Sequence, residues 1–262
     1  MFRLDTHPSS QSSARILRPW SVLERLRPAV AGHLDLVRLF DPDYPDHLTR
    51  PAVARRIARN LSFIAEQGKR EPVEAIVEEL PGMVERASSF FGSPDILVNA
   101  AGVNLREPWE KVSLESWNKT IAINLTAPFF LARLLVPSMR EKGWGKIINI
   151  GSLQSVRAFP NSVAYGASKG GVLQLTRAMA EAWSKDQSGI TCNAIGPGFF
   201  KTGLTAPLYD DQKVVDALAR QTIIGRNGEM ADLAGLTVFL ASRASDYITG
   251  QMIFLDGGWS AK

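Results

Sequence analysis

Ser152, Tyr165 and Lys169 have the residue types and the spacing of a proton-transfer site. Tyr165 and Lys169 stand four positions apart in a segment of helical periodicity, so both side chains leave one face of a helix. A free phenol, with a pKa near about 10, is a poor acid–base catalyst at neutral pH. An ammonium one helical turn away favours the phenolate and brings its proton affinity closer to the working range. Ser152 follows the apolar run Lys146-Ile147-Ile148-Asn149-Ile150, a buried strand by pattern, where its hydroxyl can hold a substrate oxygen while the proton moves. A lone Tyr-x-x-x-Lys pair is a common accident on solvated helices. The strand-borne serine and the small residues Gly166, Ala167, Ser168, Gly170 and Gly171 set this one apart.

Positioning these groups requires a scaffold, and the pattern supplies one. Val53, Ile57, Leu61 and Ile64 recur at helical spacing behind Pro51 and stop at Gly68. Residues 73–77 read as a strand and 83–91 as a short helix closed by Gly92. Residues 95–99 read as a buried parallel strand, followed by a long amphipathic helix from Leu114 to near Gly143. Strands at 146–150, 190–195 and 252–255 alternate with helices at 164–183 and 230–241, with a loop-rich insert at 196–227. Upstream, 34–41 is the best strand candidate, with a weaker helix between Ala14 and Val30. A first strand is hard to find, because residues 1–5 are short and polar. This alternation predicts an α/β fold, a parallel sheet covered on both faces in a single domain spanning 1–262. Within it, residues 1–70 form an atypical N-terminal lobe, and 203–226 an insert placed to act as a substrate lid.

Composition narrows the function classes. The chain has 262 residues, 45% hydrophobic and 21% charged, enough for one large core. A net charge of +4 is small for this size and argues against a nucleic-acid groove or a polybasic membrane surface. No run of about 18 uncharged apolar residues occurs, so no membrane span is expected. The single cysteine, Cys192, points to a reducing compartment, the cytoplasm. His7, His33 and His47 are the only histidines, all in the atypical lobe. A histidine hydrolase or histidine-ligated metal would have to draw on that lobe, and no metal site is expected.

Further motifs join the first three residues. Asn99-Ala100-Ala101-Gly102 follows a strand, and Asn124 lies in Ile-Ala-Ile-Asn-Leu. Pro197-Gly198 is trailed by Thr202, and the chain closes with Leu255-Asp256-Gly257-Gly258. With Ser152 thirteen residues before Tyr165, these motifs in this order resemble the short-chain dehydrogenase/reductase family over roughly residues 70–262. The resemblance implies a Rossmann-like, doubly wound sheet and NAD(P)-dependent alcohol/ketone interconversion. It implies that Tyr165 is the general acid/base, that Lys169 lowers its pKa and binds the nicotinamide ribose, and that Ser152 orients the carbonyl. Asn124 would hold a water in the proton relay. Asn99, Ala100, Ala101, Gly102, Pro197, Gly198 and Thr202 would line the cofactor. It also implies a homo-oligomer, dimer or tetramer, taking a small-molecule substrate, with no nucleic acid and no membrane as partner.

Within the family the look is that of sugar-acid dehydrogenases of the gluconate 5-dehydrogenase and 2-deoxygluconate 3-dehydrogenase kind, carried by Ser152-Leu153-Gln154-Ser155, Pro197 to Thr202 and Asp256-Gly257-Gly258-Trp259. Arg106 is then a candidate for a substrate carboxylate and Gln154 for substrate hydroxyls. Two alternatives stand beside this reading: a 3-oxoacyl-carrier-protein-type reductase, and a non-catalytic homologue impaired in cofactor binding.

One family feature is missing. A glycine-rich turn, Thr-Gly-x-x-x-Gly-x-Gly, lets backbone N–H groups approach the pyrophosphate at a helix N-terminus. Residues 6–13, Thr-His-Pro-Ser-Ser-Gln-Ser-Ser, lie where that turn belongs and hold no glycine; only Gly32 and Gly68 precede residue 82. The amides and hydroxyls of Ser9 to Ser13 are the available substitutes. Asp41, ending the strand candidate at 34–41, would bind the adenosine ribose and favour NAD, while Arg38 leaves NADP open. Ten arginines and no lysine precede Lys69, against ten of each afterwards. Altered coding of residues 5–65, a frame change or a replaced segment, is the hypothesis that accounts for all of this.

Overall fold

Pro28–Ala29 and residues 73–262 are described by a computed structural model. Strands β2 (Ile96–Asn99), β3 (Gly145–Ile150) and β4 (Ile190–Pro197) are buried along nearly their whole length, and β5 (Met252–Leu255) is half-buried. Continuous burial is what a parallel sheet covered on both sides imposes. With the two-residue β1 (Pro28–Ala29) the order is β1-β2-β3-β4-β5, all parallel.

Successive residues of a strand point to opposite faces, so each face has its own core. On one, Leu97, Ile147 and Cys192 pack against Leu80 of α1 (Val73–Phe91), Leu131 and Met139 of α3 (Ala127–Glu141), and Met179 of α4 (Val163–Trp183). On the other, Ile96, Val98, Ile148 and Ile195 meet Leu233 and Leu240 of α7 (Met230–Ala241). Fully burying one such side chain contributes about 1.5–3 kcal/mol, so the two clusters dominate the stability of this part.

Helix α2 (Leu114–Ile121) starts at a Ser113–Ser116 capping box and runs through a π turn (Ala122–Thr126) into α3. Pro128 explains the turn. It brings no N–H to the Asn124 carbonyl four residues back, and Ala127 N–H bonds instead to the Ala122 carbonyl, five back. By length and composition Leu114–Glu141 could cross a membrane. Its apolar side is instead buried against the sheet through Leu131, Leu135 and Met139.

Two expectations are corrected. Residues 73–77 are not a strand, and 83–91 are not a separate helix: both belong to the single helix α1. Three of those first five residues are β-branched, Val73, Ile76 and Val77, but the longer stretch packs Leu80, Met83 and Val84 on one core and Ile76 in a neighbouring cluster, a helical repeat. Gly92, at φ 82°, ends it as expected. The helix expected up to Val30 does not reach Pro28–Ala29, which is strand; proline cannot continue a helix but can open a strand. The expected helix that starts at Pro51 and stops at Gly68, the strand candidate at 34–41, and Asp41 lie outside the described residues.

The insert after β4 carries α5 (Ala206–Tyr209) and α6 (Gln212–Arg220). Its two ends meet. Phe200 bridges Gly228, and the Gly228 N–H donates to the Phe199 carbonyl at 2.9 Å. Just inside that closure Arg226 grips Asp232 of α7 through two bonds of 2.6 and 2.9 Å, which hold the carboxyl down at about 2.

Candidate active site

The first turns of α4 lie against the exits of β2 and β3, and the chemistry-bearing side chains gather there. Lys169 is 4% exposed, and its Nζ donates to the Ile150 carbonyl at the end of β3 at 2.6 Å. Burial pushes its pKa down to about 8. The same Nζ lies 5.7 Å from the centre of the Tyr165 ring. Tyr165 is buried, and desolvation raises its phenol pKa; a hydrogen bond from Ser152 and the positive charge of Arg106 oppose the rise. Ser152 caps a 3-10 turn (Leu153–Ser155), its Oγ accepting from the Gln154 N–H at 3.1 Å. The structure therefore brings Ser152, Tyr165 and Lys169 together. It differs from the expectation in one respect: the phenol is pushed up, not down, and the groups that pull it back are Ser152 and Arg106. Lys169 sits at the ring face with its ammonium turned to a backbone carbonyl.

Asn124 is 1% exposed at the π turn and is fully engaged. Its Oδ1 accepts from the Val103 N–H at 2.8 Å, while Nδ2 donates to the Val103 carbonyl and to Ser168 Oγ, each at 2.9 Å. Ser168 in turn donates to the Tyr165 carbonyl at 2.7 Å. The loop after β2, the π turn and α4 are thus pinned at one point. Ser168 is a residue sequence reasoning passed over as merely small; its place beside Lys169 was the available signal. With both amide hydrogens taken, the Asn124 side chain acts here as a clamp.

Residues expected to hold a dinucleotide fall into two groups. Asn99, Ala100, Ala101 and Gly102 leave β2, and a Cβ on Gly102 would stand 3.3 Å from Asn124 Oδ1 and 3.7 Å from Lys169 Nζ. Bare backbone therefore borders the ammonium, a concavity that fits a ribose whose hydroxyls need a donor. Asn99 is also structural: its Nδ2 donates to Asn149 Oδ1 at 2.8 Å, and Asn149 Nδ2 donates to Thr176 Oγ1 of α4 at 3.0 Å. Pro197 ends β4, and Gly198 follows where a Cβ would lie 2.8 Å from Asp256 Cα, so only glycine fits between the β4 exit and the C-terminal turn. Thr202 is held by Thr205, which accepts from its N–H at 2.9 Å. The described residues thus fit the nicotinamide end of such a cofactor.

Arg106 and Gln154 flank the centre on different sides. Arg106 is exposed, sits at φ 53° and is braced by Asn104 Oδ1, which accepts its N–H at 3.2 Å. It borders a cleft shared with Tyr165, Ser162 and Asn161, the last also at φ 53°. Neither Asn104 nor Asn161 was singled out from sequence; for Asn161 alone, asparagine's tolerance of left-handed backbone was a hint. Gln154 lies on the far side of Ser152 with its Oε1 buried. Beyond it, Phe159, Phe199 and Trp259 form a ring cluster with centroids 5.5 to 6.4 Å apart, joining the segment before α4, the β4 exit and the C-terminus.

Known proteins resemble this chain in sequence and in fold. The sequence model of a family described as enoyl-(acyl carrier protein) reductase matches residues 74–260. Gluconate 5-dehydrogenase of Gluconobacter oxydans is 40% identical over 64% of this chain and 65% of that protein. The 5-keto-D-gluconate 5-reductase of Escherichia coli K12 is 38% identical over 77% of this chain and 82% of its own length. A gluconate 5-dehydrogenase from Burkholderia cenocepacia, solved with NADP and tartrate, superimposes with a TM-score of 0.67 at 37% identity, covering 71% of this chain and 72% of that one. The chain spans about 65% of the length of the first curated relatives it matches. Its motifs, its parallel sheet and these likenesses make the chain a member of the short-chain dehydrogenase/reductase family.

Proposed function

We propose that the chain is an NAD(P)-dependent oxidoreductase of sugar acids, interconverting a secondary hydroxyl and a ketone, with Tyr165 giving and taking the proton. The observation that carries this is the buried phenol of Tyr165 between the Ser152 hydroxyl, the Arg106 charge and the Lys169 ammonium. With its pKa raised, the phenol is protonated at neutral pH and is the donor in ketone reduction. Ser152 holds the substrate oxygen and, with Arg106, stabilises the phenolate left behind. Lys169, its Nζ beside the Tyr165 ring and bonded to the Ile150 carbonyl, is placed to hold the nicotinamide ribose. NAD or NADP, held at Asn99 to Gly102, Lys169, Pro197, Gly198 and Thr202, supplies the hydride when bound.

Arg106 fits a substrate carboxylate: its guanidinium borders the cleft beside Tyr165 and can take a carboxylate through two bonds. Relatives named for gluconate and 5-ketogluconate support that substrate class. A 3-oxoacyl thioester would use the same Tyr165, and the acyl-carrier description of the matching family keeps it as the second reading. The rest of the reading is a single domain, the 203–226 insert as lid, a homodimer or homotetramer, and work in the cytoplasm.

The test is titration with NADH and NADPH, then reduction of 5-keto-D-gluconate by the natural protein and by Tyr165→Phe. The variant should lose about 10²-fold or more in turnover at unchanged melting temperature. Unchanged turnover, or no cofactor binding at millimolar concentration, rejects the reading.

A further inference from the structure

Among the described residues, the buried side-chain polar atoms without a hydrogen-bond partner are Gln154 Oε1, Tyr209 Oη, Asn227 Oδ1 and Trp259 Nε1. All four lie in segments that follow a strand's carboxyl end: Gln154 after β3, Tyr209 and Asn227 after β4, Trp259 after β5. Buried polar groups are nearly always paired, and an orphan calls for a partner from outside the fold.

Gln154 is the one placed at the proton chemistry. Its N–H donates to Ser152 Oγ at 3.1 Å, so its backbone is fixed to the group that holds the substrate oxygen. Its amide lies over Gly166, next in chain to Tyr165, where a Cβ would stand 3.4 Å from Oε1. The carboxamide is thus walled between the 3-10 turn and the start of α4. Turning it over exchanges oxygen for nitrogen and leaves a buried polar atom in the same place.

Resting on the proposed function, we propose that Gln154 reads a hydroxyl on a carbon next to the one that is oxidised or reduced. The bond from the Gln154 N–H to Ser152 Oγ ties the two residues together, so a substrate oxygen at Ser152 brings the adjoining part of the substrate toward the Gln154 carboxamide. A hydroxyl donates and accepts, and so pairs with the carboxamide in either orientation. A methylene pairs with neither end and leaves it dry and unsatisfied. The site therefore selects α-hydroxy ketones and vicinal diols. A 3-oxoacyl thioester, with a methylene on each side of its ketone, is refused at this position.

The test is calorimetric binding of D-gluconate, 4-deoxy-D-gluconate and 6-deoxy-D-gluconate to the full chain and to Gln154→Leu, with melting temperatures measured in parallel. The natural protein should bind gluconate at least about tenfold more tightly than one of the deoxy acids. Gln154→Leu should bring gluconate down to that deoxy acid, whose own affinity moves less than twofold. Equal binding of all three acids by the natural protein overturns the inference, as does selectivity that survives in Gln154→Leu. So does a variant that melts early and loses all three ligands alike, which marks Gln154 as structural. Because binding is read without turnover, selective binding by a protein that reduces no keto acid would remove the proposed activity and still leave Gln154 as the residue that reads a hydroxyl of the bound acid.

Discussion

Lys169 is a buried base whose pKa falls from the ordinary 10.5 to about 8, so the folded chain releases this proton before the unfolded chain does. Between those values the unfolded state binds more protons, and stability rises with pH by about 3 kcal/mol, the cost of a buried charge being relieved. In Lys169→Met that rise disappears. Urea titrations of both proteins from pH 7 to 11 should show the gap shift toward the natural protein by about this amount. Taking the difference cancels Cys192 and Tyr165, which burial pushes up and which act with the opposite sign at the alkaline end. Ser168→Ala removes the acceptor of Asn124 and the donor to the Tyr165 carbonyl. It should lower stability by about 1–3 kcal/mol in the same assay and reduce turnover. At this scale Ser152, Tyr165 and Lys169 were legible because their geometry is local: a helix face and a strand end. The upward shift of Tyr165 was not, since it comes from burial, and Arg106, which opposes it, is 59 positions away in the chain.

The site is only as well placed as the segments that meet there. The β4 exit and the C-terminal turn approach so closely that Gly198→Ala puts a methyl 2.8 Å from Asp256 Cα, a backbone atom that cannot rotate away. We expect a loss of about 1–3 kcal/mol, seen in thermal melts, with turnover falling further because Thr202 shifts with the exit. Strands β2 to β5 and helices α4 and α7 were readable from pattern, since each keeps one period throughout. Helix α1 was misread because its first five residues include three β-branched ones, and only Leu80, Met83 and Val84 reveal the helical repeat. The π turn was invisible to periodicity: five residues shift the phase without breaking the apolar stripe. Pro128 was its one written cue, and a proline at that distance also suits an ordinary helix start.

Across the chain, the hydrophobic clusters of residues 73–262 hold the residues around Tyr165 in place, while the sequence of the first 70 residues lacks the family's glycine-rich turn. The altered-coding hypothesis has a direct check. Another reading frame across residues 5–65 should encode an apolar strand followed by a glycine-rich turn, and restoring it should tighten NADH or NADPH binding in a fluorescence titration. A gene with no such frame removes the hypothesis.

The closure of Phe200 on Gly228, reinforced by Arg226 and Asp232, gives the stretch between them the form of a cassette hung from a clasp. Changing a loop's length costs only about 0.6 kcal/mol per doubling once its ends are fixed. Inside the clasp the Ile223 and Ile224 N–H groups both donate to the Gly257 carbonyl, at 2.8 and 3.2 Å, so we expect that only the outer part of the cassette, α5 and α6, can be exchanged while the sheet and the residues around Tyr165 stay in place.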